Sequence, residues 1–296
     1  MAIFPRRKAK TKPAPFSKFR NRGARNAAAR HSDDDSQHDI PLRPTLRRRG
    51  IYLLPNAFTT AALFCGFFAI VMAMNLKFME ASIAIFVAMV LDGLDGRVAR
   101  LTNTQSEFGA QYDSLSDMVS FGAAPALVVY EWSLRGLGKM GWLAAFVYCA
   151  GAALRLARFN TNIEVVDKRF FQGLPSPAAA AMVAGFIWLM DDLQYAGFEL
   201  QWYSWAITLY AGLTMVSNVP FYSFKDVNFK KSVPFIAIFL IVLMFVAISS
   251  YPPGWFFGLF VLYGLSGYMV YLVRLAKGKP VELIQTKPEH VDGDHQ

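Results

Sequence analysis

Between Leu91 and Gly122 the chain reads LDGLDGRVARLTNTQSEFGAQYDSLSDMVSFG, with four aspartates, Asp92, Asp95, Asp113 and Asp117, between apolar runs. On a helix successive residues are about 100° apart, so Asp92, Asp95, Gly96 and Ala99 share one face, with Arg100 beside it. Gly109, Asp113 and Asp117 are spaced by four, which places neighbours about 5–6 Å apart on the next helix. An antiparallel hairpin through LTNTQSEF would turn the two carboxylate pairs toward each other. Carboxylate oxygens are hard donors suited to Mg²⁺, Mn²⁺ or Ca²⁺. Two facing pairs can hold two ions about 3.5–4 Å apart, an arrangement used for phosphoryl and phosphodiester chemistry.

Such a cluster needs a reason. An Asp at the centre of a spanning helix costs ~2.5–3.5 kcal/mol, less near an interface. Four left unpaired cost on the order of 10 kcal/mol, comparable to the net stability of a domain. Arg97 and Arg100 offset part of this. The alternatives to metal binding are structural hydrogen bonding and a proton path. Gly93, Gly96 and Gly109 favour a ligand, because they remove side chains beside the carboxylates and let a bulky group approach the backbone.

The elements that position these residues are membrane helices. Of 296 residues, 54% are apolar and 17% charged, against about 25% charged in ordinary soluble domains. Apolar runs of spanning length, ~20 residues, recur from Ile51 to Leu275. The expected architecture is an all-α integral membrane protein. It has about eight transmembrane helices, within a range of six to eight, near 53–74, 79–98, 110–131, 141–160, 177–192, 202–218, 232–250 and 254–273. Alternate connections carry Arg97 and Arg100, Arg155, Arg158, Lys168 and Arg169, Lys225, Lys230 and Lys231, then Arg274, Lys277 and Lys279. By the positive-inside rule this is the cytoplasmic side. It holds both termini and the aspartates, most simply at a bacterial inner membrane.

Residues 1–50 form a basic tail with 14 of the 30 Lys and Arg residues. Its composition predicts disorder and attraction to anionic membrane lipids. Nucleic-acid binding is not expected. Residues 51–275 are the membrane domain, and 276–296 are a polar C-terminal tail. His31, His38, His290 and His295 all lie in the tails, which excludes histidine acid–base chemistry in the membrane. Cys65 and Cys149 fall in apolar spans and read as packing residues without a disulfide. Trp132, Trp142 and Trp202 near span ends read as interfacial belt residues.

The pattern D-x-x-D-G-x-x-A-R-x8-G-x3-D-x3-D, met at Asp92, Asp95, Gly96, Ala99, Arg100, Gly109, Asp113 and Asp117, resembles the signature of the CDP-alcohol phosphotransferase family. The resemblance implies an all-helical membrane enzyme that moves a phosphoalcohol from a CDP-linked donor to an acceptor hydroxyl and releases CMP. It implies that the four aspartates hold Mg²⁺ or Mn²⁺, as two ions, and that Asp117 is also the general base. Gly96 would admit the nucleotide and Arg100 would meet a donor phosphate, with Ala99 and Gly109 lining the same site. It further implies a homodimer.

Four more stretches bear on substrate. Pro55-Asn56 with Thr59 and Thr60 resembles the family's first-helix segment at the cytidine. The other reading of Asn56 is a helix N-cap. Ser106, just before Gly109, is a further candidate for the CDP-diacylglycerol donor. Arg155–Asn162 (RLARFNTN), Phe171–Ala180 (FQGLPSPAAA) and Ser223–Lys225 resemble segments of the phosphatidylserine synthase branch. Serine bears a carboxylate, and Arg suits bidentate pairing with one. Arg155 and Arg158, three apart on one helix, are therefore candidates for an acceptor carboxylate or a donor phosphate. They also fit as positive-inside anchors. The expectation is phosphatidyl transfer from CDP-diacylglycerol to serine. Glycerol 3-phosphate, inositol or choline as acceptor, and ion or proton transport by the aspartates, are the alternatives.

Overall fold

The computed structural model describes residues 46–161, 170–222 and 235–277. The basic tail, Ser223–Lys225 and the C-terminal tail lie outside them. Helix α1 (Leu46–Met74) turns through Asn75–Lys77 into α2 (Phe78–Leu101). A helix of α2's length spans roughly 36 Å. The next connection is five residues, Thr102–Ser106, shorter than the LTNTQSEF loop expected from sequence. Asn103 turns the chain there at φ +51°, a conformation Asn tolerates better than most residues. Ser106 then starts α3 (Glu107–Asp117) as its N-cap, its Oγ accepting from Gly109 N–H at 3.0 Å. This satisfies one of the amides every helix start leaves open.

The third expected span is not one uniform helix. After Asp117 the chain widens into a π-helical turn, Met118–Ala123, before α4 (Ala124–Trp132). The wide turn is stitched on both sides. Buried Ser120 donates to Ala62 O of α1 at 3.1 Å, and buried Tyr148 donates to Phe121 O at 3.0 Å. Nothing in the residue pattern announces this turn, because its apolar residues fit an α-helix equally well.

Helix α5 (Lys139–Thr161) follows a short 3₁₀ turn. Then come strand β1 (Phe170–Gln172), α6 (Ser176–Asp192), α7 (Gln201–Val216), β2 (Pro220–Tyr222), α8 (Phe235–Ser250) and α9 (Pro252–Ala276). The three-residue strands pair antiparallel, Phe171 opposite Phe221. They add a ribbon to a chain expected to be all-α. It ties the segment before α6 to the segment after α7.

Small residues set the packing. Ala81, Ala84 and Ala88 of α2, Ala144 and Ala152 of α5, and Ala178–Ala181 with Ala184 of α6 are buried. Small side chains let membrane helices approach closely. At Gly151 and Gly212 the backbones of α5 and α7 touch. A Cβ on Gly151 would sit 2.5 Å from Gly212 O. Trp132 is a correction to the belt reading. It is 7% exposed and packs edge-on against Phe186 of α6, whereas Trp142 and Trp202 are exposed as expected. Among the described residues, three helical stretches, Leu54–Met74, Lys139–Thr161 and Pro252–Ala276, are long and apolar enough to cross a membrane. Helix α8 packs on α9 and turns most of its apolar side chains outward. Cys65 and Cys149 are free thiols.

Candidate active site

The hairpin of α2 and α3 brings the two aspartate pairs together. Carboxylate oxygens of Asp92, Asp95 and Asp113 lie within 4.8 Å of one another. Asp117, one turn along α3, stands against Asp92 and Asp113. None of the four pairs with a described Lys or Arg at 4.0 Å or closer. Asp113 Oδ1 and Asp117 Oδ1 are buried and have no hydrogen-bond partner among the described residues.

Orphaned acceptors inside a cluster of like charge are unfavourable as they stand. Hard divalent cations are the partners such oxygens suit. The donor set therefore fits the metal that the motif implies. Among the described residues no imidazole or thiolate joins the cluster.

Helix α1 supplies the back wall. Thr59 Oγ1 lies 2.7 Å from Asp95 Oδ2 and 3.1 Å from the carbonyl of Pro55. Thr59 and Asp95 are 4% and 5% exposed, so this contact is shielded from water. Ser116 Oγ donates to Thr59 O at 3.1 Å, and the Thr60 and Tyr112 hydroxyls lie 2.9 Å apart. Three helices are thus cross-linked by hydroxyls directly around the carboxylates. Asn56 lies ten residues inside α1, which removes the N-cap reading. Its Oδ1 would be 3.5 Å from a Cβ placed on Gly109, so Asn56, Ser106 and Gly109 form one corner. Ser106 reaches that corner with its oxygen already accepting from Gly109 N–H.

The glycines leave space on the open side. A Cβ on Gly93 would meet nothing within 4 Å. One on Gly96 would meet only the Arg100 guanidinium, at 3.7 Å. Arg100 therefore folds back over Gly96, where an anionic group lying on the glycine would meet it. Ala99 sits half-buried between them along the helix.

Arg155 and Arg158 share a helix but diverge. Arg155 donates to buried Ser176 Oγ at 2.6 Å, lies 5.8 Å over the Phe159 ring, and faces Asp117 and Asp92 from across the site. Arg158 turns to the far end of α7, 3.2 Å from Asn218 Oδ1 and 3.5 Å from Ser217 O. Asn160, from the same RLARFNTN stretch, donates to Ser114 Oγ at 3.1 Å and so ties α5 to α3 between Asp113 and Asp117. The GLPSP stretch builds the turn that presents Ser176. Gly173 is at φ +77°, and a Cβ there would lie 2.3 Å from Met215 O. Pro177 stands in the first helical turn of α6, where its missing N–H costs nothing.

One residue escaped the sequence reading. Ser176 is the side-chain partner of Arg155, signalled only as part of GLPSP.

Comparison with known proteins agrees with this geometry. Residues 52–214 match the CDP-alcohol phosphatidyltransferase family, a span from α1 through α7 that includes all four aspartates. A Helicobacter pylori protein named CDP-diacylglycerol–serine O-phosphatidyltransferase is 34% identical over 244 residues, covering 81% of this chain and 98% of the relative. Proteins of the same name from Methanocaldococcus jannaschii and Saccharomyces cerevisiae are 31% and 32% identical. They cover 64% and 60% of this chain, and 82% and 62% of their own lengths. With the signature intact, its carboxylates converged and the Helicobacter pylori relative matched along 98% of its length, this chain belongs to the CDP-alcohol phosphatidyltransferase family.

Proposed function

We propose that this chain transfers the phosphatidyl group of CDP-diacylglycerol to the hydroxyl of L-serine, giving phosphatidylserine and CMP. The observation that carries the reading is the convergence of Asp92, Asp95, Asp113 and Asp117 on one glycine-lined space, with Arg155 facing it. The names of the relatives support serine as the acceptor.

In this reading Asp92, Asp95, Asp113 and Asp117 hold two divalent ions, Mg²⁺ or Mn²⁺. Bound there, the ions neutralise the pyrophosphate and stabilise the departing CMP. The donor lies along the glycine face of α2. Gly96 gives the nucleotide its close approach, Arg100 meets a donor phosphate, and Asn56, Ala99, Ser106 and Gly109 line the cytidine side. Arg155 binds the serine carboxylate, held by Ser176 so that the serine hydroxyl reaches Asp117. Asp117 takes the hydroxyl proton as the oxygen forms its bond to the lipid-bearing phosphorus and the bond to CMP breaks. Arg158, committed to the α7 end, serves as a scaffold or a more distant phosphate contact.

The positive-inside count supports eight crossings, with both termini and the site on the cytoplasmic side of a bacterial inner membrane. Residues 51–275 then form the embedded domain. The basic tail, residues 1–50, rests on anionic lipid. A homodimer is proposed on the family resemblance. The deciding test gives the purified chain CDP-diacylglycerol with radiolabelled serine, glycerol 3-phosphate, inositol or choline in turn, with and without a chelator. Labelled lipid from serine alone, lost on chelation, is the expected result. Labelled lipid from another acceptor refutes the serine assignment. Ion flux in liposomes without CMP release refutes the transferase reading.

A further inference from the structure

A carboxylate that takes a proton from an attacking hydroxyl has to be held at one angle. Asp117 is bracketed by two serines that both donate to α1. Ser116 reaches Thr59 O and Ser120 reaches Ala62 O, each at 3.1 Å. These serines are 2% and 0% exposed, so water does not compete for either bond. Gly66 makes the second bond possible. A Cβ there would lie 2.6 Å from Ser120 Oγ and 2.7 Å from Ser120 Cα, so α1 meets the chain after Asp117 backbone to backbone.

Just past Asp117 the helix widens. The N–H of Ala124 bonds to Val119 O, five residues back, where an α-helix closes at four. A single turn of this kind gathers at functional sites. Tyr148 of α5 holds its other side, donating to Phe121 O at 3.0 Å. Downstream, Ala124, Ala126, Val128 and Val129 fix α4 in the core. Were Met118–Ala123 wound as α-helix against that fixed α4, α3 would rotate by about 100° and shift by about 1.5 Å. A displacement of about 1 Å at reacting groups can cost on the order of 10²-fold in rate.

We propose that Ser120 is a positioning residue for Asp117. Its bond to Ala62 O holds the wide turn open, and the wide turn aims the Asp117 carboxylate at the acceptor hydroxyl. This inference rests on the reading of Asp117 as general base. Asp117 is asked both to hold an ion and to take a proton, so saturating metal does not restore a proton acceptor that has lost its aim.

The test uses two variants and a control. Ser120→Ala removes the bond and adds no bulk. Gly66→Ala keeps the hydroxyl but sets a methyl against it. The control is Ser133→Ala, since Ser133 is also buried and donates to Gly197 O at 2.7 Å, at the far end of α4. Mn²⁺ bound per chain counts the intact sites of each protein, and kcat and KM are measured at saturating Mn²⁺. Turnover per Mn²⁺-binding chain should fall about tenfold or more in Ser120→Ala and Gly66→Ala. The KM values for serine and CDP-diacylglycerol should stay within about twofold, the pattern of an interaction made only in the transition state. Ser133→Ala should turn over like the wild type. Unchanged turnover in Ser120→Ala, a KM shift as large as the loss in kcat, or an equal loss in Ser133→Ala overturns the proposal. Should Gly66→Ala fail to fold, Ser120→Ala decides alone. Wild-type turnover in Asp117→Asn refutes the underlying base assignment instead.

Discussion

Replacing Thr59 with valine should weaken metal binding without touching a carboxylate. The Thr59 hydroxyl lies 2.7 Å from Asp95 Oδ2, and both residues are almost fully buried. Valine keeps the side chain's shape, so no large cavity opens. It removes the Thr59 hydroxyl donor from Asp95 Oδ2. A hydrogen bond to a charged group contributes about 1.5–3 kcal/mol. Groups that orient a ligand carboxylate typically alter metal affinity by roughly 10–100-fold, which agrees with that energy at about 1.4 kcal/mol per tenfold. The assay titrates Mn²⁺ into the purified chain without substrate and follows the free-ion resonance. Thr59→Val should bind on the order of 10–100-fold more weakly, while Thr59→Ser, which keeps the hydroxyl, should stay within about threefold of wild type. Activity at saturating Mn²⁺ should recover most of its wild-type value in Thr59→Val. Metal affinity within twofold of wild type in Thr59→Val, or equal losses in the valine and serine variants, would refute the positioning role.

Other outcomes follow from the same geometry. Asp117→Asn should lower turnover by at least about 10²-fold, the range for a lost general base, with the KM for serine little changed in a steady-state CMP-release assay. Gly96→Val should abolish donor binding, whereas Gly93→Ala, whose new methyl meets nothing, should leave the KM for CDP-diacylglycerol within about twofold. Gly173→Ala should lower the thermal midpoint, because the left-handed backbone costs about 1–2 kcal/mol for a residue with a Cβ and the methyl meets Met215 O. In that variant Arg155 loses its aim as Ser176 shifts, so the serine KM should rise before activity disappears.

The aspartate site was legible because its information is local. Two helical spacings and a short connection suffice to place Asp92, Asp95, Asp113 and Asp117 together, and the glycines between them say what may approach. The long apolar helices, such as Leu54–Met74 and Pro252–Ala276, were legible for the same reason, since runs of apolar residues need no partner to be seen. The divergence of Arg155 and Arg158 was not legible. They sit three residues apart, and Ser176 of α6 and Asn218 of the connection after α7 decide where each one points. Trp132 looks like a belt residue by its place at a helix end, and its burial depends on Phe186, more than fifty residues away. The π-helical turn after Asp117 depends on hydrogen bonds from Ser120 to α1 and from Tyr148 of α5. The ribbon is the extreme case, since Phe171 and Phe221, paired across it, stand about fifty residues apart in the chain.

That ribbon bears on the order in which the two halves of the site come into being. The carboxylate half is built from α1, α2 and α3, contiguous in the chain and joined by short connections, so its contacts have low sequence separation. It can be complete once the ribosome has passed α4. The Arg155 half is assembled from α5 and α6, and β1, just before α6, has no partner until β2 has been synthesised. A nascent chain therefore carries a finished acidic pocket well before it has the groups proposed to select an acceptor. During that interval the four clustered carboxylates stand without Arg155 facing them.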